Sequence, residues 1–314
     1  MVYEMITVIS QLIEEQITSG VYHGASLALY QDGQWQDYYF GTIDGKEPIQ
    51  KGLVYDLASV SKVVGVGTLC IDLYKSGALD LDRSVQSYYP AFGNSETTVR
   101  QLLTHTSGLN PYIPNRNQLD ASQLKAAMLE LSLEDNRNFR YSDVNFIILG
   151  FMLEEMFGKT LNQIFSEKIF QPLGMSQTSF GPRKEAVPTL KNHRDGIVHD
   201  PKAQVLKEDT GSAGLFSTLE DLQLFMDFYL NWEMSKELFR DYSHNNASRS
   251  LAWRLKDGWL DHTGYTGPFI MFNENKEAVI FMTNRTFEKD ERDQWIKDRD
   301  RLMDCIQVEM AKNL

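Results

Sequence analysis

Cysteine is nearly missing from this chain. Cys70 and Cys305 are the only two among 314 residues, and neither lies in a CxxC pair. No disulfide framework can hold the fold, and both are expected to be reduced structural thiols on helices. Long apolar runs are missing too: no stretch approaches the roughly 18 residues that a membrane-spanning helix requires. The opening MVYEMITVISQLIEEQ has no basic leader and puts Glu4, Glu14 and Glu15 where a secretory signal would be apolar, so cytoplasmic residence is the expectation. Positive charge is in deficit. Thirty-one Lys and Arg stand against 43 Asp and Glu, for a formal charge of −12. Such a field repels phosphate backbones and anionic lipid, which argues against a nucleic-acid partner. There is no Gly-x-Ser-x-Gly elbow, Walker loop or Gly-x-Gly-x-x-Gly, which removes the α/β-hydrolase nucleophile and the usual nucleotide cradles.

What is present suffices for a sizeable core, with 42% apolar residues, and the length suggests about two lobes. Met5, Ile6, Ile9, Leu12, Ile13 and Ile17 recur at steps of three and four, which predicts a helix with one apolar stripe ending near Gly20. GASLALY and QWQDYYFGT flank Gln31-Asp32-Gly33, a hairpin signal. Near the other end, LAWRLK, WLDHTGYTGPFIMF and EAVIFMTN read as a three-strand meander. A helix whose apolar stripe runs through Trp295, Ile296, Arg299, Leu302, Met303, Ile306 and Met310 follows it. The charge run DERDQWIKDRDRLMD reads as the solvated, ion-paired face of that helix. Helical patterns near 60–76, 121–131, 143–157, 160–170 and 218–231 fill the middle. The expected architecture is an α/β (α+β) fold: an antiparallel sheet flanked by terminal helices, with a mostly helical lobe inserted. Its expected division is a sheet lobe from 1–61 and 212–314 and a helical lobe from 62–211, with the active site between them.

Ser59 and Lys62 stand one helical turn apart in DLASVSKVVGVGTLC. If Ser59 opens this helix, hydroxyl and ammonium share a face. A desolvated lysine of lowered pKa can take the serine proton, or as a cation supply the field that lets another base do so. Taken alone, the pair also reads as a serine N-cap followed by a surface lysine. Further signals come in order: Tyr141-Ser142-Asp143 before a strongly apolar helix, then His262-Thr263-Gly264 inside a predicted strand, where the glycine hints at close backbone approach by a ligand.

The sequence Ser-x-x-Lys, then Tyr-x-polar, then basic-Thr-Gly resembles the motif order of serine β-lactamases and penicillin-binding proteins. Over most of its length the chain resembles the class C β-lactamase-related serine hydrolases, which include carboxylesterases and low-molecular-weight DD-peptidases. TVRQLLTHTSGL at 98–109, YSDVNFIILG at 141–150, IFQPLGMSQTSF at 169–180, GIVHDPKAQ at 196–204, AGLFSTLEDL at 213–222 and HTGYTG at 262–267 carry the likeness. The resemblance implies that Ser59 is the acylated nucleophile, that Lys62 hydrogen-bonds it, and that Tyr141 shares the acid and base work. It further implies an oxyanion hole from the amides of Ser59 and Tyr265, the latter on an edge strand facing the serine. His262, Thr263, Gly264, Asp143 and Ser212 would bind substrate.

Two departures matter. His262 replaces the frequent lysine, so an obligate charge gives way to a pH-dependent one, whose imidazolium would hold a substrate carboxylate only below about pH 6.5. Asp143 replaces an asparagine and cannot donate to an acyl side chain. Both favour an esterase-like or amidase-like enzyme on small molecules over an efficient β-lactamase, and no cofactor is expected. A penicillin-binding, slowly released acyl-protein, a DD-peptidase or β-lactamase of weak turnover, and a scaffold without activity are the alternatives. His105 to Gly108 should build a tight loop behind the site. His193, His199 and Asp200 lack a metal-ligand spacing, so no metal is expected, and His199 with Asp200 should pin a loop near the cleft.

Overall fold

The computed structural model describes residues 2–191 and 196–312; His193 lies outside them. Nine strands are described: β1 (Gly24–Gln31), β2 (Gln34–Gly41), β3 (Tyr55–Asp56), β4 (Ser179–Phe180), β5 (Leu215–Ser217), β6 (Arg254–Lys256), β7 (Trp259–Thr263), β8 (Phe269–Asn273) and β9 (Ala278–Thr283). Six form an antiparallel sheet in the order β2-β1-β9-β8-β7-β6. Asp32 (φ 53°) and Gly33 (φ 79°) are both left-handed, as a two-residue hairpin loop demands, and set Gln31 opposite Gln34. Pairing of β1 with β9, Ala25 opposite Thr283, joins the early and late parts of the chain in the middle of the sheet.

Each face of that sheet is covered. Leu27 and Phe281 point to one side, where Ile9 and Ile13 of the Val2–Thr18 helix meet Ile306 and Met310 of the Arg292–Ala311 helix. Ala28, Ile280 and Phe272 face the other side, onto Tyr229 and Trp253 and the helices from the middle of the chain. This alternation is the period-two reading of a strand whose two faces both enter a core. The Asp143–Phe157 helix is buried over most of its circumference, which is why its residues lack a polar stripe. Cys70 and Cys305 are free thiols on helices. No described helix is long and apolar enough to cross a membrane.

One expected strand divides. WLDHTGYTGPFIMF forms β7 and β8, antiparallel with Thr263 opposite Phe269, so the meander has four strands rather than three. Gly267 at φ 127° and Pro268 break the run, and Gly264 N–H closes the turn on Pro268 O at 2.7 Å. Tyr265 therefore sits in a turn, not on an edge strand. The edge is β6, whose pairing begins at Arg254 opposite Asp261, so that His262 and Thr263 run past it. A second small sheet, β3-β5-β4, has no counterpart in the sequence reading, because strands of two or three residues carry no periodicity.

Candidate active site

The second sheet leads directly into Ser59. Asp56 pairs with Phe216, and the Leu57 amide bonds Leu215 O at 2.9 Å. Ala58 then turns left-handed at φ 45°, an uncommon state for a residue with a Cβ. The buried Asp56 carboxylate stabilises it by accepting the Ala58 amide at 2.8 Å, and its other oxygen accepts the His199 amide at 2.9 Å. Ser59 lies in the single 3-10 turn Ala58–Val60, whose N-cap is Leu57. The hydroxyl thus caps no helix.

Ser59 Oγ instead accepts from Lys62 Nζ at 2.8 Å. Lys62 is sealed from solvent, and its ammonium also donates to Asp143 Oδ1 at 2.8 Å and to Ser212 O at 2.9 Å. Three donors thus have three acceptors. Burial pulls the lysine pKa down, but the Asp143 carboxylate and Tyr141 outweigh it, and the net shift is upward. That shift favours the second of the two roles open in the sequence, the cation, over the proton acceptor.

Asp143 is placed otherwise than expected. Burial raises its pKa, yet Lys62 and Lys202 together bring it below the usual carboxylate range. Oδ1 serves Lys62 and Oδ2 takes Lys202 at 2.9 Å, so both oxygens face lysines rather than an acyl side chain. Lys202 is absent from the sequence reading. It stands in the Pro201–Leu206 helix, which Asp200 caps by accepting the Ala203 amide, and it reaches Asp200 itself at 3.3 Å. Ser212 likewise acts through its carbonyl. Its side chain is fully buried against Thr210, so it does not line the cleft.

Tyr141 is 43% exposed at the cleft, its ring centroid 5.1 Å from Lys62 Nζ. Buried His105 packs on that ring at 4.5 Å, and His105 O accepts the Arg140 amide at 2.9 Å. The 105–108 loop thus supports the segment that carries Tyr141.

His262 is buried, and its ring lies 6.3 Å from that of Tyr141. Burial, Lys62 and Arg249 push its pKa well below the ordinary histidine value. A buried ring among cations disfavours the imidazolium that the sequence reading gave it. Nδ1 donates to Thr263 O at 3.2 Å, and Nε2 is buried and unpartnered.

The glycine of His262-Thr263-Gly264 is also explained within the protein. A Cβ at Gly264 would stand 2.7 Å from Leu57 O, so the close approach is to the chain's own nucleophile turn rather than to a ligand. This contact sets the Tyr265 turn beside Ser59. Leu57, Val60 and Gly264 donate their amides within the protein, and the Ser59 and Tyr265 amides are not among those donors.

A cleft of about 240 Å³ opens at this point, lined by Ser59, Tyr141 and Tyr265 and by Arg285, Arg292 and Arg299. Arg285 Nε donates to Tyr265 O at 2.7 Å, and Arg299 Nη1 to Thr263 Oγ1 at 3.2 Å. Arg299, 12% exposed, points inward with the apolar stripe of the last helix, as its spacing implied. His199 and Asp200 do hold a loop beside the cleft, the former through Asp56 and a ring contact with Tyr265 at 5.3 Å. Among the described residues no group of three or more His, Cys, Asp or Glu is placed to hold a metal ion.

Comparison with known proteins shows the family and the fold. The Beta-lactamase family profile matches residues 9–302. A protein of Escherichia coli O157:H7 named "Putative D-alanyl-D-alanine carboxypeptidase" is 27% identical, over 90% of this chain and 82% of its own length. Among solved structures, EstCE1, a hydrolase with promiscuous acyltransferase activity, superposes with a TM-score of 0.78 at 18% identity, covering 96% of this chain and 98% of its own. The β-lactamase/D-alanine carboxypeptidase of Pseudomonas syringae gives 0.73 at 17% identity, over 95% and 99% of the two chains. At these identities the structural likeness speaks for the fold.

Proposed function

The chain belongs to the beta-lactamase family and is a serine hydrolase, and we propose that it works through an acyl-enzyme on Ser59, cleaving small esters or amides. The observation that carries the reading is the hydrogen bond from buried Lys62 to Ser59 Oγ at 2.8 Å. As a cation, Lys62 favours negative charge on the serine oxygen. The Tyr141 oxygen takes the serine proton as Oγ attacks the carbonyl carbon, and the oxyanion forms at the Ser59 and Tyr265 amides. Tyr141 then returns the proton to the departing alcohol or amine. Water repeats the sequence on the acyl-enzyme and frees Ser59.

Neutral His262 and the lysine-bound Asp143 support an esterase-like or amidase-like preference, because neither offers a β-lactam the contacts that a lysine and an asparagine would. A second reading rests on the arginines of the cleft. Arg285, Arg292 and Arg299 suit a substrate that carries a carboxylate beside its scissile bond, as a peptide cleaved by a carboxypeptidase does. Turnover of p-nitrophenyl butyrate and of an acylated D-Ala-D-Ala peptide separates the two. Ser59→Ala should abolish whichever activity is found with the fold intact, and retained turnover would refute the nucleophile.

A further inference from the structure

Behind the segment that carries Tyr141 lies a second cavity, of about 290 Å³, which shares no lining residue with the Ser59 cleft. Phe139, Ser248, Arg249, Arg254, Lys256 and, as the one lining carboxylate, Asp257 line it. Two of its three cations are neutralised. Arg254 Nε lies 2.8 Å from Asp261, and Lys256 lies 2.8 Å from Asp304 with Asp257 also in reach. Arg249 is different: it is 5% exposed, its Nε has no acceptor, and among the described residues no carboxylate lies within ion-pairing distance of it. Its guanidinium sits over the Phe139 ring at 5.2 Å. Burial brings its pKa down to about 10, with Tyr141 and Asp261 opposing and Arg254 assisting, so the charge persists at neutral pH.

A buried cation without a direct ion-pair partner is costly, and native folds rarely leave such a donor unsatisfied. Arg254 and Lys256 have their own carboxylates, so the unpartnered donor is Arg249 Nε. Beside it stands the half-exposed Phe139 ring, which suits an anion with an apolar body. We propose that this cavity binds a small carboxylate-bearing ligand, its carboxylate on Arg249 and its apolar part against Phe139. The site is independent of the acyl-enzyme reading. Its occupancy bears on the catalytic segment, because Phe139 and Tyr141 pack on the same His105 ring, at 6.3 and 4.5 Å.

Calorimetric titration of the full chain with sodium benzoate tests this, with benzamide as the neutral isostere and inorganic phosphate as the compact anion. Benzoate should bind saturably to the wild type and to Ser59→Ala, and at least tenfold more weakly to Arg249→Gln, while benzamide gives no binding. Should Arg249→Gln fail to fold, Phe139→Ala at the rim is the substitute, with the same weakening expected. Benzoate binding unchanged in either variant, or lost in Arg299→Gln instead, would overturn the site. Phosphate binding tighter than benzoate would overturn its carboxylate class.

Discussion

Lys62 Nζ and Asp143 Oδ1 lie 2.8 Å apart, the lysine without solvent contact and the carboxylate about a quarter exposed. Because Asp143 also holds Lys202, the nucleophile's neighbour belongs to a chain of alternating charge, Lys62–Asp143–Lys202–Asp200, that begins at Ser59 and ends at the cap of a short helix. The carboxylate keeps the buried ammonium charged. Without it, only Tyr141 would oppose the effect of burial on Lys62.

Asp143→Asn therefore tests the cation. Burial then draws the Lys62 pKa down, so activity should be lost as pH rises, within a range where the wild type stays flat. A fall of more than tenfold in kcat/KM at pH 8 is expected. Breaking a buried ion pair costs about 3–5 kcal/mol; the retained amide oxygen and the partial exposure of Asp143 make that an upper bound. A rate–pH profile parallel to the wild type would remove the ion pair from catalysis.

His262 affects stability in a defined direction. Its folded pKa lies below the unfolded value of about 6.5. Below that pH the unfolded chain takes up a proton that the folded state refuses, so stability is complete above pH 6.5 and declines as pH falls. His105 acts in the same sense and Asp56 in the opposite one. Both are common to the wild type and to His262→Gln. Thermal midpoints at pH 7.5 and 5.5 should differ less in the variant. Equal differences would mean that His262 is protonated in the folded protein.

Asp56 predicts an acid limb in the rate. Burial raises its pKa to about 6, against the His199 and Ala58 amides and with help from Asp200. Protonation removes one amide acceptor and loosens the left-handed turn before Ser59. Ester hydrolysis should decline as pH drops through about 6. Asp56→Asn should show a lower plateau and no inflection there, and an inflection that survives the substitution assigns it to another group.

Gly264→Ala would set a methyl 2.7 Å from Leu57 O and equally close to the Pro268 ring, where backbone on one side cannot yield cheaply. The Tyr265 turn must move away from Ser59. Strain of about 1–3 kcal/mol is expected. Displacing one oxyanion donor should lower kcat about 10²-fold with little change in KM. A rise in KM alone would show that the turn holds substrate rather than the oxyanion.

Ser59 and Lys62 were legible because their contact is local, three residues along one turn, and Tyr141 because an apolar helix announces it. The hairpin at Asp32-Gly33 and both terminal helices carry their own periodicity. Asp56 and Lys202 escaped notice because their partners are distant in sequence: Asp56 meets His199 and Lys202 meets Asp143. GIVHDPKAQ was recognised as a phrase, yet nothing in it distinguishes a surface lysine from one aimed at a carboxylate. Arg299 falls on the stripe of the last helix by its spacing, but its contact with Thr263 depends on how that helix crosses the sheet. His262 was given an exposed histidine's titration because burial is a property of the assembled site.

The pairing of β1 with β9 has a consequence for biosynthesis. As the chain leaves the ribosome, the strand ending at Gln31 waits for one that starts at Ala278 before the sheet can close. Ser59 emerges early, but the turn bearing Tyr265 is held between β7 and β8, two strands that emerge just ahead of that closing partner. A nascent chain thus exposes its nucleophilic hydroxyl long before it owns a complete oxyanion pocket, and reactivity is withheld until translation is nearly finished.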